Sequence, residues 1–264
     1  MSSSLNSNLL RDLAPILTSN ETWRALASAD IQTKYRRTAL GPWWIMISNA
    51  LFALIVGTVS ARFLGADMHS YLPYFVTSMT LWNFISSCLI EGSQTLIYPG
   101  GQIKASNLPI AFYVMRMIQR NFIILLHNLL VIPLIWIVLP WSLSWTMIFA
   151  VIGVICIYIS VSALTLIISV ICTRYRDIPP LIQTIVQFAF FVSPIIWMPD
   201  QLKGGHIVLQ LNPIGHALSL VRDPILGRPV ATESWVISFG MTAVCVLLAG
   251  YVYSKYKNRV VFWV

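Results

Sequence analysis

The stretch WTMIFAVIGVICIYISVSALTLIISVIC, residues 145–172, contains no Lys, Arg, Asp or Glu. Roughly 20 helical residues cross the hydrocarbon core of a bilayer, so this run is long enough to span one. Five other stretches meet or approach that length without a charge: Trp43–Ala61, Tyr71–Ile90, Asn121–Leu139, Ile178–Pro199 and Val236–Tyr253. None shows strand alternation, and all are longer than a barrel strand needs. The expected fold class is an all-α integral membrane protein with six transmembrane helices. It forms one domain over residues 1–264: a cytoplasmic tail and interfacial helix over 1–42, the six-span bundle over 43–255, and a cytoplasmic tail over 256–264.

Composition agrees with this reading. Of 264 residues, 57% are hydrophobic and 10% charged, too few polar groups to coat a soluble domain of this size. A net charge of +8 suits either nucleic acid or an anionic membrane surface. The basic residues lie between apolar runs, so the membrane is the expected partner and nucleic acid is not. Cys88, Cys156, Cys172 and Cys245 stand singly in or at the end of apolar segments, without the spacing of a disulfide framework or a zinc site. The opening MSSSLNSNLLRDLAP lacks the basic start and apolar core of a cleavable signal peptide, so insertion is expected to begin with the first span.

Basic residues set the orientation. With both termini in the cytoplasm, 13 of the 17 Lys and Arg residues fall inside. Arg62, Lys203, Arg222 and Arg228 fall outside, the inner side carries the whole net charge, and the outer side nets zero.

Three connecting segments stand out. In SNETWRALASADIQTKYRRTALGPWW, Ser19 or Asn20 can cap a helix whose apolar face is Trp23, Leu26, Ala27 and Ile31. Asp30 and Lys34 share that face at a spacing that lets them pair. A helix lying on the inner leaflet fits best, with a solvated basic tail as the alternative. Pro42 then breaks the helix, and Trp43 and Trp44 sit where an aromatic belt is expected. The second segment, Glu91–Arg120, contains YPGGQIKASNLP at 98–109. A phosphate-binding loop needs Gly-x4-Gly-Lys-Ser/Thr between a strand and a helix, whereas Lys104 follows Gly101 by three and a membrane helix precedes both. The segment reads as a cytoplasmic elbow, with no nucleotide hydrolysis by this chain alone. The third, Asp200–Trp235, holds Ile214–Val221, about 12 Å of helix and too short to cross. It is either re-entrant, closing the outer mouth of a pathway, or lies along the outer interface.

Within the spans, His127 and Asn128 are costly in lipid and are expected to bond a neighbouring helix. Arg62 can snorkel to the outer surface.

Four strings carry a resemblance: KYRRTALGPWW before span one, NLPIAFYVMRMIQRN entering span three, CTRYRDIPPLIQTIVQFAFFVSPIIW through span five, and LNPIGHALSLVRDPILG outside. Together and in order they resemble the membrane subunit of type-2 ABC exporters, in particular the polysaccharide and O-antigen export permeases. The chain departs from that family in two places. It reads SNA at 48–50 where a proline is frequent, and it has Lys104 alone where a lysine pair is frequent.

The resemblance implies a homodimeric permease in the bacterial inner membrane, working with two copies of a separate ABC ATPase. That partner would hold ATP and Mg, leaving no cofactor, metal or catalytic residue in this chain. Gln102, Ile103, Lys104, Ala105, Ser106 and Asn107 would form the ATPase-coupling elbow. Trp23, Lys34, Tyr35, Arg36 and Arg37 would lie on the interfacial helix near lipid headgroups. The implied substrate is a lipid-linked glycan, whose hydroxyls and flat sugar faces suit aromatic platforms and neutral hydrogen-bonding groups. Span two offers Tyr74, Phe75, Ser78, Trp82 and Asn83, and span five places Gln183 and Gln187 on one face. Each of these can equally serve helix packing. Pro213, His216 and Arg222 would belong to an external gate. Two other classes fit less well. A polyprenyl-linked sugar enzyme needs clustered carboxylates, and no two acidic residues here are closer than nine positions. An ion-driven transporter needs buried ionisable groups and internal repeats. An ABC exporter of capsule, a teichoic-acid-like polymer, lipid or drug stays open.

Overall fold

The computed structural model describes residues 20–34, 41, 43–98, 100–105, 108–142, 144–201 and 205–264, with side chains for all of these but 20–24, 34, 102, 105, 201, 205 and 206. Eleven α-helices are described in chain order. They are α1 (Asn20–Lys34), α2 (Trp43–Phe63), α3 (Met68–Gly92), α4 (Gly100–Ala105), α5 (Ile110–Leu129), α6 (Val131–Val138), α7 (Ile148–Arg174), α8 (Ile178–Val192), α9 (Gly205–Leu211), α10 (Pro213–Ile225) and α11 (Thr232–Trp263). Among the described residues there is no strand.

Four helical stretches are long and apolar enough to cross a membrane: Trp43–Phe63, Ile110–Val138, Trp145–Arg174 and Thr232–Trp263. The other two expected spans differ in kind. Helix α3 has 25 residues, about 37 Å of helix, so length is not what sets it apart. It packs against α2, α5, α6, α7, α8 and α10 and buries 16 of its residues. Enclosed by protein rather than lipid, it can carry Thr77, Ser78, Thr80 and Ser93 at its buried face and end. Helix α8 stops at Val192, short of the Pro199 boundary expected from charge counting. Pro194 has no N–H to continue the helix and holds Ser193 in extended backbone (φ −81°, ψ 146°).

The third span also begins earlier than the charge-free run suggests. Helix α5 starts at Ile110, so Arg116 and Arg120 lie on a helix rather than in the elbow. Each is neutralised from another helix. Arg116 grips Asp30 of α1 through two hydrogen bonds, at 2.8 and 2.5 Å, and Arg120 bonds Glu91 of α3. Asp30 thus pairs with Arg116; the side chain of Lys34, its expected partner, lies outside the described residues. Ala27 and Ile31 are buried where α1 packs on α5.

His127 also departs from expectation. Its Nδ1 lies 2.8 Å from the Ile123 carbonyl of its own helix, and its ring meets Trp43 edge-on. Asn128 is buried and its Oδ1 has no partner among the described residues. Arg62, in the last turn of α2, is exposed.

Candidate functional site

Two ends of the bundle hold the residues of interest. At the basic end, α4 is a single short helix between α3 and α5, so Gly100 and Gly101 are helical and do not form a phosphate-wrapping loop. Ile103 is buried and anchors it, while Lys104 points to solvent. The side chains of Gln102 and Ala105, and all of Ser106 and Asn107, lie outside the described residues. The last turn of α11 supports α4 from the side. A Cβ on Gly100 would fall 2.5 Å from Val264 Cγ1, so a larger residue here would displace the Val264 side chain. Val260 is fully buried, and Arg174 at the end of α7 lies 5.2 Å over the Trp263 ring. Trp23 and Lys34 are placed on α1 by their backbone, whereas Tyr35, Arg36 and Arg37 lie outside the described residues.

At the opposite end the structure joins residues that the sequence had assigned to separate roles. Tyr74 and Ser78 of α3 meet Arg222 of α10. Arg222 is 3% exposed, and its guanidinium lies 4.1 Å over the Tyr74 ring. Its Nη1 donates to the Pro194 carbonyl at 2.8 Å and to Ser78 Oγ at 3.3 Å, and its Nε to Asp223 at 3.1 Å. The charge is therefore buried with Nε and Nη1 bonded, a counter-ion and an aromatic face, which is what makes it tolerable there. The single Tyr74 hydroxyl proton is shared between the carbonyls of Pro194 (2.8 Å) and Trp197 (3.2 Å), and the Tyr71 hydroxyl donates to that of Ile196.

Helix α10 extends over 13 residues, longer than the expected Ile214–Val221, and packs against α7, α11 and α3. Asn212 caps it, accepting from the N–H groups of Ile214 and Gly215, and Pro213 occupies its first position, exposed. A Cβ at Gly153 of α7 would lie 2.7 Å from the Leu220 carbonyl, so the α7–α10 contact also depends on a glycine. His216 is buried and links three helices, with Nδ1 2.9 Å from Ser234 Oγ of α11 and Nε2 3.2 Å from the Gln210 carbonyl of α9.

The residues expected to line a pathway separate into two groups. Tyr74, Phe75, Ser78 and Trp82 are buried inside the chain, with Phe75 stacked on Tyr71 and Trp82 against Phe190. Asn83 is half-buried, while Gln183 and Gln187 are exposed on α8 beside Leu181, Ile185, Phe188 and Phe191. Sequence reading missed Tyr71, Asn212 as a side-chain clamp, Asp30 and Glu91 as cross-helix partners, and Pro194 as the point where α8 ends. Only Pro194 and the Asn212–Pro213 pair carried a local signal.

A comparison with curated proteins returned no match. The family described as ABC-2 type transporter matches residues 21–226, from the first helix through the Arg222 cluster. With its apolar helices and that match over most of its length, the chain belongs to the ABC-2 type transporter family and is the multi-pass membrane permease of an ABC exporter.

Proposed function

We propose that this permease works as a homodimer in the bacterial inner membrane, both termini cytoplasmic, and exports a lipid-linked polysaccharide of the O-antigen kind. On this reading it crosses the membrane six times. Helix α3 and the α8–Pro199 segment complete the set, the first shielded by its neighbours and the second extended past Val192 by non-helical chain.

The observation that carries the reading is α4. It is a short helix beyond the basic end of the bundle, with Ile103 as anchor and Lys104 exposed. A separate ATPase can grip such a projection, which packs on the last turn of α11, while the Glu91–Arg120 and Asp30–Arg116 pairs tie α3, α5 and α1 together at the same end. ATP and Mg belong to that ATPase. Between two protomers, Gln183 and Gln187 offer neutral hydrogen-bonding groups on an otherwise apolar exposed face, which suits a polymer of hydroxyls. Tyr74, Phe75, Ser78, Trp82 and Asn83 would join the lining only after rearrangement. Pro213, His216 and Arg222 would close the outer mouth.

The test is purification with a separately encoded nucleotide-binding subunit, followed by ATP hydrolysis with and without lipid-linked glycan. A complex whose ATPase is stimulated by glycan supports the proposal. A chain that binds no ATPase refutes the mechanism, and a complex stimulated only by a lipid or drug refutes the substrate.

A further inference from the structure

Between α8 and the 3₁₀ turn at Pro199–Gln201 lies a non-helical segment, residues 193–198, packed inside the protein. Ser193, Pro194 and Ile195 are buried, Ile195 completely. Non-helical backbone at such a place leaves carbonyls that must find donors. They find side chains. Pro194 O accepts from both Tyr74 and Arg222, Ile196 O from Tyr71, Trp197 O from Tyr74, and Val192 O from Asn212 Nδ2 at 3.3 Å. Asn212 Nδ2 also reaches Ser193 Oγ at 3.0 Å. Three carbonyls of the segment, and the Val192 carbonyl that ends α8, are thus held by four side chains, Tyr71 and Tyr74 from α3 and Asn212 and Arg222 from the α10 region.

We propose that residues 193–198 form a movable strap, that Tyr71, Tyr74, Asn212 and Arg222 are its catch, and that substrate passage requires the catch to release. The inference rests on the exporter reading above and adds which piece moves and what holds it. The chemistry favours release over bending. A carbonyl bonded within a helix cannot change partners without unwinding that helix. A carbonyl held by a foreign hydroxyl or guanidinium can exchange it for water or a sugar hydroxyl while both helices stay intact. Arg222 keeps Asp223 and the Tyr74 ring when Pro194 O departs, so release leaves no bare buried cation. Withdrawing Ile195 and Pro194 would uncover Ser78, whose hydroxyl is otherwise occupied with Arg222 and the Tyr74 carbonyl.

The permease–ATPase complex, reconstituted in liposomes without ATP, tests this through two readouts. These are amide hydrogen exchange between Ser193 and Met198, and efflux of an entrapped neutral fluorescent oligosaccharide. With Arg222→Gln, exchange in the segment is expected to rise about tenfold relative to α7, together with faster efflux. Tyr74→Phe keeps the ring under Arg222 and removes only the hydroxyl, so it is expected to show the same pattern at smaller size. It carries the test if Arg222→Gln does not fold. Unchanged local exchange overturns the proposal, as does faster exchange without efflux, because the segment would then close nothing. Failure of the wild-type complex to export glycan with ATP would sink the exporter reading instead; exchange and ATP-free efflux read the catch independently of that result.

Discussion

The two ends of this permease use arginine in opposite ways. At the basic end, Arg116 and Arg120 pair with carboxylates on other helices, and all four side chains stay partly wet, 25–42% exposed. At the other end, Arg222 is 3% exposed and bonds a backbone carbonyl, a hydroxyl and its neighbour Asp223 beneath an aromatic face. Half-wet ion pairs contribute little to stability and tolerate rearrangement, whereas a buried arginine with several partners fixes whatever it touches. On the proposed mechanism the basic end is the one free to shift, and the other end stays shut until its catch releases.

The contrast can be broken most severely at Arg222. Arg222→Ala is expected to destabilise the protein by about 3 kcal/mol, because Asp223 and the Pro194 carbonyl lose their buried partner. Thermal unfolding in detergent reads this directly. Next in size is Gly153→Ala, where the new methyl would press on the Leu220 carbonyl. A loss of about 1–3 kcal/mol is expected, measured the same way, with outer-end closure loosened as α10 is pushed off α7. At the basic end, Asp30→Asn is expected to cost about 1 kcal/mol or less, and less still at high salt. Its larger effect should be on the coupling of ATP hydrolysis to export, restored when Asp30→Arg is combined with Arg116→Asp. Smallest in stability are Gln183→Leu and Gln187→Leu, exposed on α8 and expected within about 0.5 kcal/mol of wild type. On the proposed function glycan export should nevertheless fall, and an unchanged export rate would remove both residues from the pathway.

Much of the helical order could be read from charge-free length alone, because lipid leaves the backbone few choices. Two of the places where that reading slipped share one cause. Counting uncharged residues started the third span at Asn121, yet α5 begins at Ile110 because Arg116 and Arg120 find carboxylates 86 and 29 positions away in sequence. No local spacing rule can see such partners. Tyr74, Ser78 and Arg222 were assigned to two different roles for the same reason, since the contact joining Ser78 to Arg222 spans 144 positions. The asparagine–proline boundary before α10 was legible because a helix cap is local. Pro194 was equally local, but an uncharged run does not register a proline as a stop. The exposed position of Lys104 agrees with an elbow on the surface, whereas the two glycines before it turned out helical.

The enclosure of α3 bears on how the protein is made. On the six-pass reading, this helix enters the bilayer second, before α5, α7 and α10 have been synthesised to cover Thr77, Ser78 and Thr80. Only α2 is then available, joined to it by the four residues 64–67. That order of synthesis favours insertion of the two as a hairpin, with Gly57 giving α2 room to lie against Leu72 and Phe75.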